Sequence, residues 1–256
     1  MDKNTHELWD NFWVNNELRQ DDLDAVKYES YTIRWERIKK IILNDFDKFD
    51  GLNVLEIGGG IGTNAALMCE LGANVSILDY SKKALERSEK LFNELGLKVN
   101  LIQDDALLSS SEYKNKFDIT MSFGLAEHFI GKDRQSIIDA HIKPLRNGGL
   151  TFVSVPNKHN PPYRIYKYLA QKMGFWNVGE EYPYSRGELK KICNKLNLQN
   201  YYFIGDSFYW SLNFINPILI LKKLLKIKYN YYSTKKQRGT FLDSYFSYAI
   251  VLVCRK

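Results

Sequence analysis

Long apolar runs are missing from this 256-residue chain. No stretch reaches the ~18 consecutive apolar residues that a membrane span needs. Cysteine is scarce: Cys69, Cys193 and Cys254 lie far apart, with neither CxxC nor metal-type spacing. An odd, dispersed set argues against a disulfide framework and points to a reducing, cytosolic compartment. The opening Met1-Asp2-Lys3-Asn4 lacks the apolar segment of a secretory signal. Internal repeats and low-complexity linkers are lacking as well. Acids are nearly absent from one region: from Ser211 to Lys256 nine Lys/Arg face only Asp243, a local charge of +8. Of the overall +6 this leaves −2 on residues 1–210, so the first part has no general attraction for phosphate. The C-terminal part suits an anionic surface or is a solvated basic insert.

Hydrophobic residues make up 45% of the chain, enough for a sizeable core in one α/β domain. Leu52 to Ile57 reads as a strand running into glycines, and Thr63 to Leu71 as a helix that Gly72 ends. Val75 to Leu78 is a second strand, and Ser81 caps a helix that runs to Gly96. Val99 to Ile102 and Phe117 to Phe123 are the third and fourth strands. A helix from Asp133 to Leu145 leads through Asn147-Gly148-Gly149 to a fifth, Leu150 to Val155. Strands separated by helices imply crossovers, a parallel sheet and a ligand at the strands' carboxyl ends. Ser185 to Glu188 is a capping box. Tyr201 to Ile204 and Tyr245 to Val253 read as strands six and seven, flanking an insertion at 206–243.

The loop Glu56-Ile57-Gly58-Gly59-Gly60-Ile61-Gly62 brings its third glycine one residue too early for a dinucleotide G-x-G-x-x-G, where Thr63 stands. Asp79 ends the second strand 21 residues after Gly58, where a carboxylate can accept both hydroxyls of an adenosine ribose. Asp104-Asp105-Ala106 ends the third. An acid there can accept from an adenine amino group, and the next N–H can donate to a ring nitrogen; Asp104 and Asp105 both qualify.

In that order these residues resemble the class I S-adenosylmethionine-dependent methyltransferases, especially the small-molecule and lipid O-methyltransferase branch. The glycine loop is similar to their first motif, Asp79 to their ribose-binding acid and Asp105-Ala106 to their adenine-side motif. Phe117 to Phe123 followed by Glu127-His128 resembles strand four and the E-H of relatives of the ubiquinone-pathway O-methyltransferases. Leu145-Arg146-Asn147-Gly148-Gly149-Leu150 is similar to the L-x-x-G-G turn. The resemblance implies a doubly wound, mostly parallel seven-stranded α/β sheet, Rossmann-like, with an antiparallel last strand. It implies S-adenosylmethionine as cofactor, S-adenosylhomocysteine as product, and no metal. The cofactor-binding set is Glu56, Gly58, Gly59, Gly60, Gly62, Asp79, Tyr80, Asp105, Ala106 and Phe123. It also implies a helical lid at 1–50 over a methyltransferase domain at 51–256.

A hydroxyl acceptor needs a base, and His128, just after strand four, is the candidate; the alternative is local packing. Trp13, Tyr31, His159, Tyr163 and Arg164 are the candidate acceptor pocket, among aromatics that could equally pack on the sheet. Asn160-Pro161-Pro162-Tyr163 spells an amino-methyltransferase tetrapeptide but follows strand five rather than four, so it reads as a strand stop and helix start. The apolar, lysine-ended stretch at 214–232 suits peripheral membrane contact, a lipid-like substrate, or packing in its own domain or a homodimer. The expected acceptor is a small or lipid-like molecule, methylated at oxygen. The rivals are a nucleic-acid or protein methyltransferase using the basic region, a nicotinamide-dependent oxidoreductase, and a catalytically silent binding protein.

Overall fold

The computed structural model describes residues 6–13, 20–107, 113–174, 176, 179–225 and 236–256. Their strands form one sheet: β1 Asn53–Ile57, β2 Asn74–Asp79, β3 Asn100–Gln103, β4 Phe117–Phe123, β5 Leu145–Pro156, β6 Asn200–Gly205 and β7 Ala249–Arg255. Their order across the sheet is 3-2-1-4-5-7-6. The pairings from β3 through β5 are parallel, and β7 runs antiparallel to both β5 and β6. The order reverses direction between β1 and β4, which opens a crevice at their carboxyl ends.

Helices cover both faces, which is why the central strands read as continuous apolar runs. In chain order they are α1 His6–Phe12, α2 Gln20–Glu29, α3 Ile33–Phe46, α4 Thr63–Glu70, α5 Lys82–Glu94, α6 Asp133–Ile142, α7 Pro161–Lys172, α8 Arg186–Lys195, α9 Phe208–Ser211, α10 Pro217–Leu224 and α11 Asp243–Phe246. Trp35, Ile38 and Ile42 of α3 pack with Val54, Ile77, Phe152 and Val253 in the larger core. Ile137, Ile138, Leu189 and Ile192 pack with Val153 and Leu252 on the other side. Side-chain caps mark the helix starts: Thr32 accepts from Trp35 N, Ser81 from Ala84 N and Ser185 from Glu188 N.

Three boundaries differ from the sequence reading by more than two residues. The helix expected to reach Leu145 ends at Ile142, and Leu145 already pairs with Phe117. Pro144 cannot donate to a continuing helix, and its carbonyl instead accepts from Lys116 and Phe117 N. The fifth strand therefore starts at Leu145 rather than Leu150, and a register shift between Phe117 and Ile119 absorbs the Asn147-Gly148-Gly149 segment. The seventh starts at Ala249 rather than Tyr245. Ahead of it, the buried Asp243 carboxylate accepts from Phe208 N, Thr240 N and Thr240 Oγ1 and pairs with Arg37, holding the chain in α11.

Between β6 and β7 the chain passes through α9, a 3-10 turn at Leu212–Ile215 and α10; residues 226–235 of this insertion lie outside the described set. Its far end returns to the N-terminal helices. Gln237 donates from its backbone to the Tyr31 carbonyl and from its side chain to Tyr28 Oη, and accepts from Ile33 N. Among the described residues no helix is long and apolar enough to cross a membrane.

Candidate active site

β1 ends in a loop whose backbone turns left-handed at Gly58 (φ 62°), Gly60 (φ 55°) and Gly62 (φ 77°), a region that glycine enters without Cβ strain. Gly62 opens α4 without a side-chain cap, and Glu56 replaces the cap from below by accepting from Ala65 N at 2.8 Å. Burial pushes the Glu56 carboxyl up to about 8, against the hydrogen bond from Ala65. A Cβ on Gly62 would stand 2.3 Å from Ile77 Cδ1, so this glycine sets how closely α4 lies on β2.

Above the loop lies an outer cavity of about 580 Å³. Gly58, Gly59, Gly60 and Ile61 form its floor, and Asp79, Tyr80, Asp104, Asp105 and Ala106 its strand-end wall. The carboxylate of Asp79 accepts from Gly60 N at 3.0 Å and Ser81 N at 2.9 Å, with a further backbone hydrogen bond at Tyr80, which fixes it at the cavity wall. Asp105 Oδ1 accepts from Leu107 N at 2.7 Å. Trp9 and Trp13 roof this cavity from the N-terminal side. Trp13 lies over Gly60, where a Cβ would come within 3.0 Å of its ring. Asp10 of α1 accepts from Ser81 Oγ at 2.7 Å, anchoring the roof beside Asp79.

An inner cavity of about 310 Å³ shares Phe123 and Gly124 with the outer one. Its wall comes from distant segments: Tyr28, Glu29 and Arg34, Thr63 and Asn64, Glu127, Ser154, and Tyr248. Arg34 lies 5.0 Å from the Phe123 ring centre, donates to both oxygens of Glu29 (3.0 and 2.8 Å) and stands 3.7 Å from Asp206. Burial raises Glu29, and the Arg34 guanidinium opposes that shift. Asn64 Oδ1 and Glu127 Oε2 are buried and accept no hydrogen bond among the described residues.

A 3-10 turn, Ala126–His128, stands where the cavities meet. Burial pushes the Glu127 carboxyl up to about 8, and Glu181 adds to the shift. His128 lines the outer cavity with Trp9 edge-on at 4.8 Å, and its Nδ1 lies 2.9 Å from the Glu180 carbonyl. Burial lowers its pKa; hydrogen bonding to the backbone at Glu180 and Gly124 opposes this. Glu127, His128 and Glu181 bring ligand atoms within 4.8 Å of one another, a nitrogen and oxygen set able to hold a divalent cation. Lys167 brings a resident ammonium to the same place, 3.8 Å from Glu181 Oε2.

Residues 54–149, the span of the glycine loop and both acidic strand ends, match the family described as "Methyltransferase domain". Over 147 residues the chain is 31% identical to the ubiquinone biosynthesis O-methyltransferase of Proteus mirabilis, covering 52% of this chain and 59% of that protein. The family match and this relative support a methyltransferase domain of the class I S-adenosylmethionine-dependent kind over residues 54–149. The chain is 26% identical over 173 residues to the enzyme of the same name from Rickettsia prowazekii, covering 65% of this chain and 66% of that one. The chain thus spans under two thirds of these relatives' own length. Among solved structures it is similar to the magnesium protoporphyrin IX methyltransferase of Synechocystis with bound S-adenosylhomocysteine. That match has a TM-score of 0.58 and 14% identity, and covers 98% and 93% of the two chains. A Haemonchus contortus phosphoethanolamine N-methyltransferase has a TM-score of 0.57 at 18% identity, over 86% of this chain and 52% of that one. At these identities the likeness is one of fold.

The residues that the sequence reading expects around the cofactor divide by position. Gly58, Gly59, Gly60, Asp79, Tyr80, Asp105, Ala106 and Phe123 line the outer cavity, as do Trp13 and His128. Glu56 and Gly62 line neither cavity and shape the loop from beneath. Tyr31, His159, Tyr163 and Arg164 are also outside both linings. The Tyr31 backbone is engaged by Gln237, while His159 and Arg164 are exposed at the start of α7. That helix turns Tyr163 inward, where its hydroxyl donates to Glu181 at 2.6 Å and its ring packs on Tyr248. Asn160 is the N-cap of α7, accepting from Tyr163 N and donating to Ser211 and the Phe246 carbonyl, so the tetrapeptide does not face the cofactor cavity. Sequence reading missed Glu29, Arg34, Asn64 and Tyr248. Only the Thr32 cap, which folds the chain between Glu29 and Arg34, had a local signal.

Proposed function

We propose that the protein transfers a methyl group from S-adenosylmethionine to a hydroxyl of a small-molecule acceptor. The observation that carries this reading is the meeting of two cavities at Phe123–Gly124, one walled by strand-end acids above a glycine loop, the other by buried polar side chains. The outer cavity fits the cofactor: the glycine floor leaves room for close approach, and Asp79 is held to accept two hydroxyls. In this reading Asp79 holds the ribose, Asp105 and Ala106 hold the adenine, and α1 with Trp9 and Trp13 is the lid. The bound cofactor supplies an electrophilic methyl group. The chain's part is to position the acceptor in line with it and to exclude water.

His128 is the proton acceptor in this scheme. In it the neutral ring carries its proton on Nδ1, donated to the Glu180 carbonyl, and Nε2 is the basic atom. The lowered pKa keeps the ring neutral at physiological pH, the form a base requires. The relatives' names, with oxygen as the methylated atom, favour hydroxyl over amine. The apolar stretch at 214–225, the described part of 214–232, favours contact with a membrane surface and a lipid-like acceptor.

Parallel calorimetric titrations with S-adenosylhomocysteine and NADH test the cofactor assignment. Binding of S-adenosylhomocysteine alone is expected; binding of NADH alone overturns it. Transfer of labelled methyl to catechol probes then tests the acceptor, with His128→Asn expected to lower kcat by about 10²-fold or more while cofactor affinity stays within a few-fold.

A further inference from the structure

We infer that α7 and the α9–α10 insertion together form a docking face for an anionic lipid bilayer. The inference extends the membrane reading of 214–225 to a second helix and names the lipid charge. α7 buries one side, with Pro162, Tyr163, Lys167 and Ala170 turned inward. Its other side exposes Ile165, Tyr168 (56%), Leu169 and Met173 (55%), the i, i+3, i+4 spacing of a helical stripe. On α10 and just beyond it, Ile218 (63%), Leu221 (54%) and Leu225 form a second exposed stripe. The 3-10 turn at Leu212–Ile215 joins the two: Phe214 packs on Tyr163 and Tyr166 of α7 and the turn runs through Asn216 into α10. Leu212 and Ile215 of that turn are exposed as well.

A patch spread over three adjoining surface elements exceeds the scattered apolar residues normal for a protein surface. Charge indicates what covers it. Neither α7 nor α10 contains an acid, while Arg164, Lys172 and Lys222 accompany the stripes. Lys172 stands 4.8 Å from the Tyr168 ring, a cation beside an aromatic of the kind that settles at a lipid headgroup layer. A second copy of this face would bring like charges together; an anionic bilayer offers both an apolar interior and opposite charge.

The elements that carry the patch pack against one residue of the inner cavity's wall. Tyr163, Trp210 and Phe214 surround Tyr248, which lines that cavity. An acceptor dissolved in the bilayer would thus meet the enzyme on the side where its pocket lies.

The test is cosedimentation with vesicles of phosphatidylcholine alone or with one third phosphatidylglycerol, alongside light scattering. Binding to the anionic vesicles should be about tenfold stronger than to the neutral ones and should weaken with salt. The pairs Ile218→Glu/Leu221→Glu and Ile165→Glu/Met173→Glu should each reduce it about tenfold or more. Lys172→Glu, a surface change that spares the fold, should lower only the anionic component. An unchanged S-adenosylhomocysteine titration shows each variant folded and keeps this test separate from the cofactor assignment. Equal binding to both vesicle types, no binding, or an α7 pair without effect overturns the inference. A dimer dissolved by the same substitutions also overturns it and makes a second copy the occupant.

Discussion

The two cavities share a wall and are built on opposite principles. The outer one rests on backbone: its glycine floor and strand-end acids come from β1, β2 and β3, and Asp79 is held by amides within a few residues of the surface it forms. The inner one rests on side chains from segments more than two hundred residues apart, from Tyr28 to Tyr248, with an ion pair buried among aromatics. A backbone cradle fits a constant ligand. A side-chain wall can be changed one residue at a time, which suits the ligand that differs between relatives.

If the inner wall depends on charge pairing, Arg34→Met should destabilise the fold most, by about 3–5 kcal/mol, because Glu29 and Asp206 are left buried without their cation. Urea denaturation measures this, and a change below ~1 kcal/mol would break the comparison. The outer loop has one buried acid of its own, Glu56. Its folded pKa is raised from 4.5 to about 8, so the folded state holds its proton more tightly than the unfolded chain. The resulting stability is present below the unfolded pKa and is lost as pH rises towards about 8. Glu56→Gln should remove that slope, gaining on the parent by on the order of a few kcal/mol between acid and mildly alkaline pH. Parallel melting curves that stay equidistant across this range would refute it.

Asp79→Ala should weaken S-adenosylhomocysteine binding about a hundredfold, the loss of two hydrogen bonds to a carboxylate; calorimetry reads this directly. Gly62→Ala should cost about 1–3 kcal/mol of stability, since the new methyl meets Ile77 and the backbone is left-handed there. Any loss of cofactor affinity should follow only from misfolding, because Gly62 does not line the cavity. Denaturation and titration on the same sample separate the two effects.

The same contrast explains what could be read from the sequence. Gly58, Gly60, Asp79 and Asp105 signal themselves through spacing because each sits at a strand end, and crossover topology brings strand ends together. The seven-stranded sheet was legible for the same reason: each strand carries its own apolar pattern. Arg34 and Tyr248 carry no such signal. Their meeting depends on how α3 packs over the sheet and how β7 enters between β5 and β6, neither of which is encoded within a short window. Arg164 and His159 follow strand five closely in sequence, but the Asn160 cap sets the rotation of α7, and that rotation selects Tyr163 for the interior. Glu56 combined both cases: its place in the motif was legible, its task as a surrogate helix cap was not.

The Gln237 clasp ties together stretches of chain that synthesis separates by some two hundred residues. One carboxamide touches both Tyr28, a wall of the inner cavity, and the first turn of α3, which carries Arg34. The segments on either side of the clasp are latched together by it and by the Arg37–Asp243 and Lys236–Glu36 pairs. Opening the inner cavity from the N-terminal side loosens the end of the insertion, and displacing the insertion loosens the N-terminal helices. Amide exchange in the two stretches should accordingly rise and fall together.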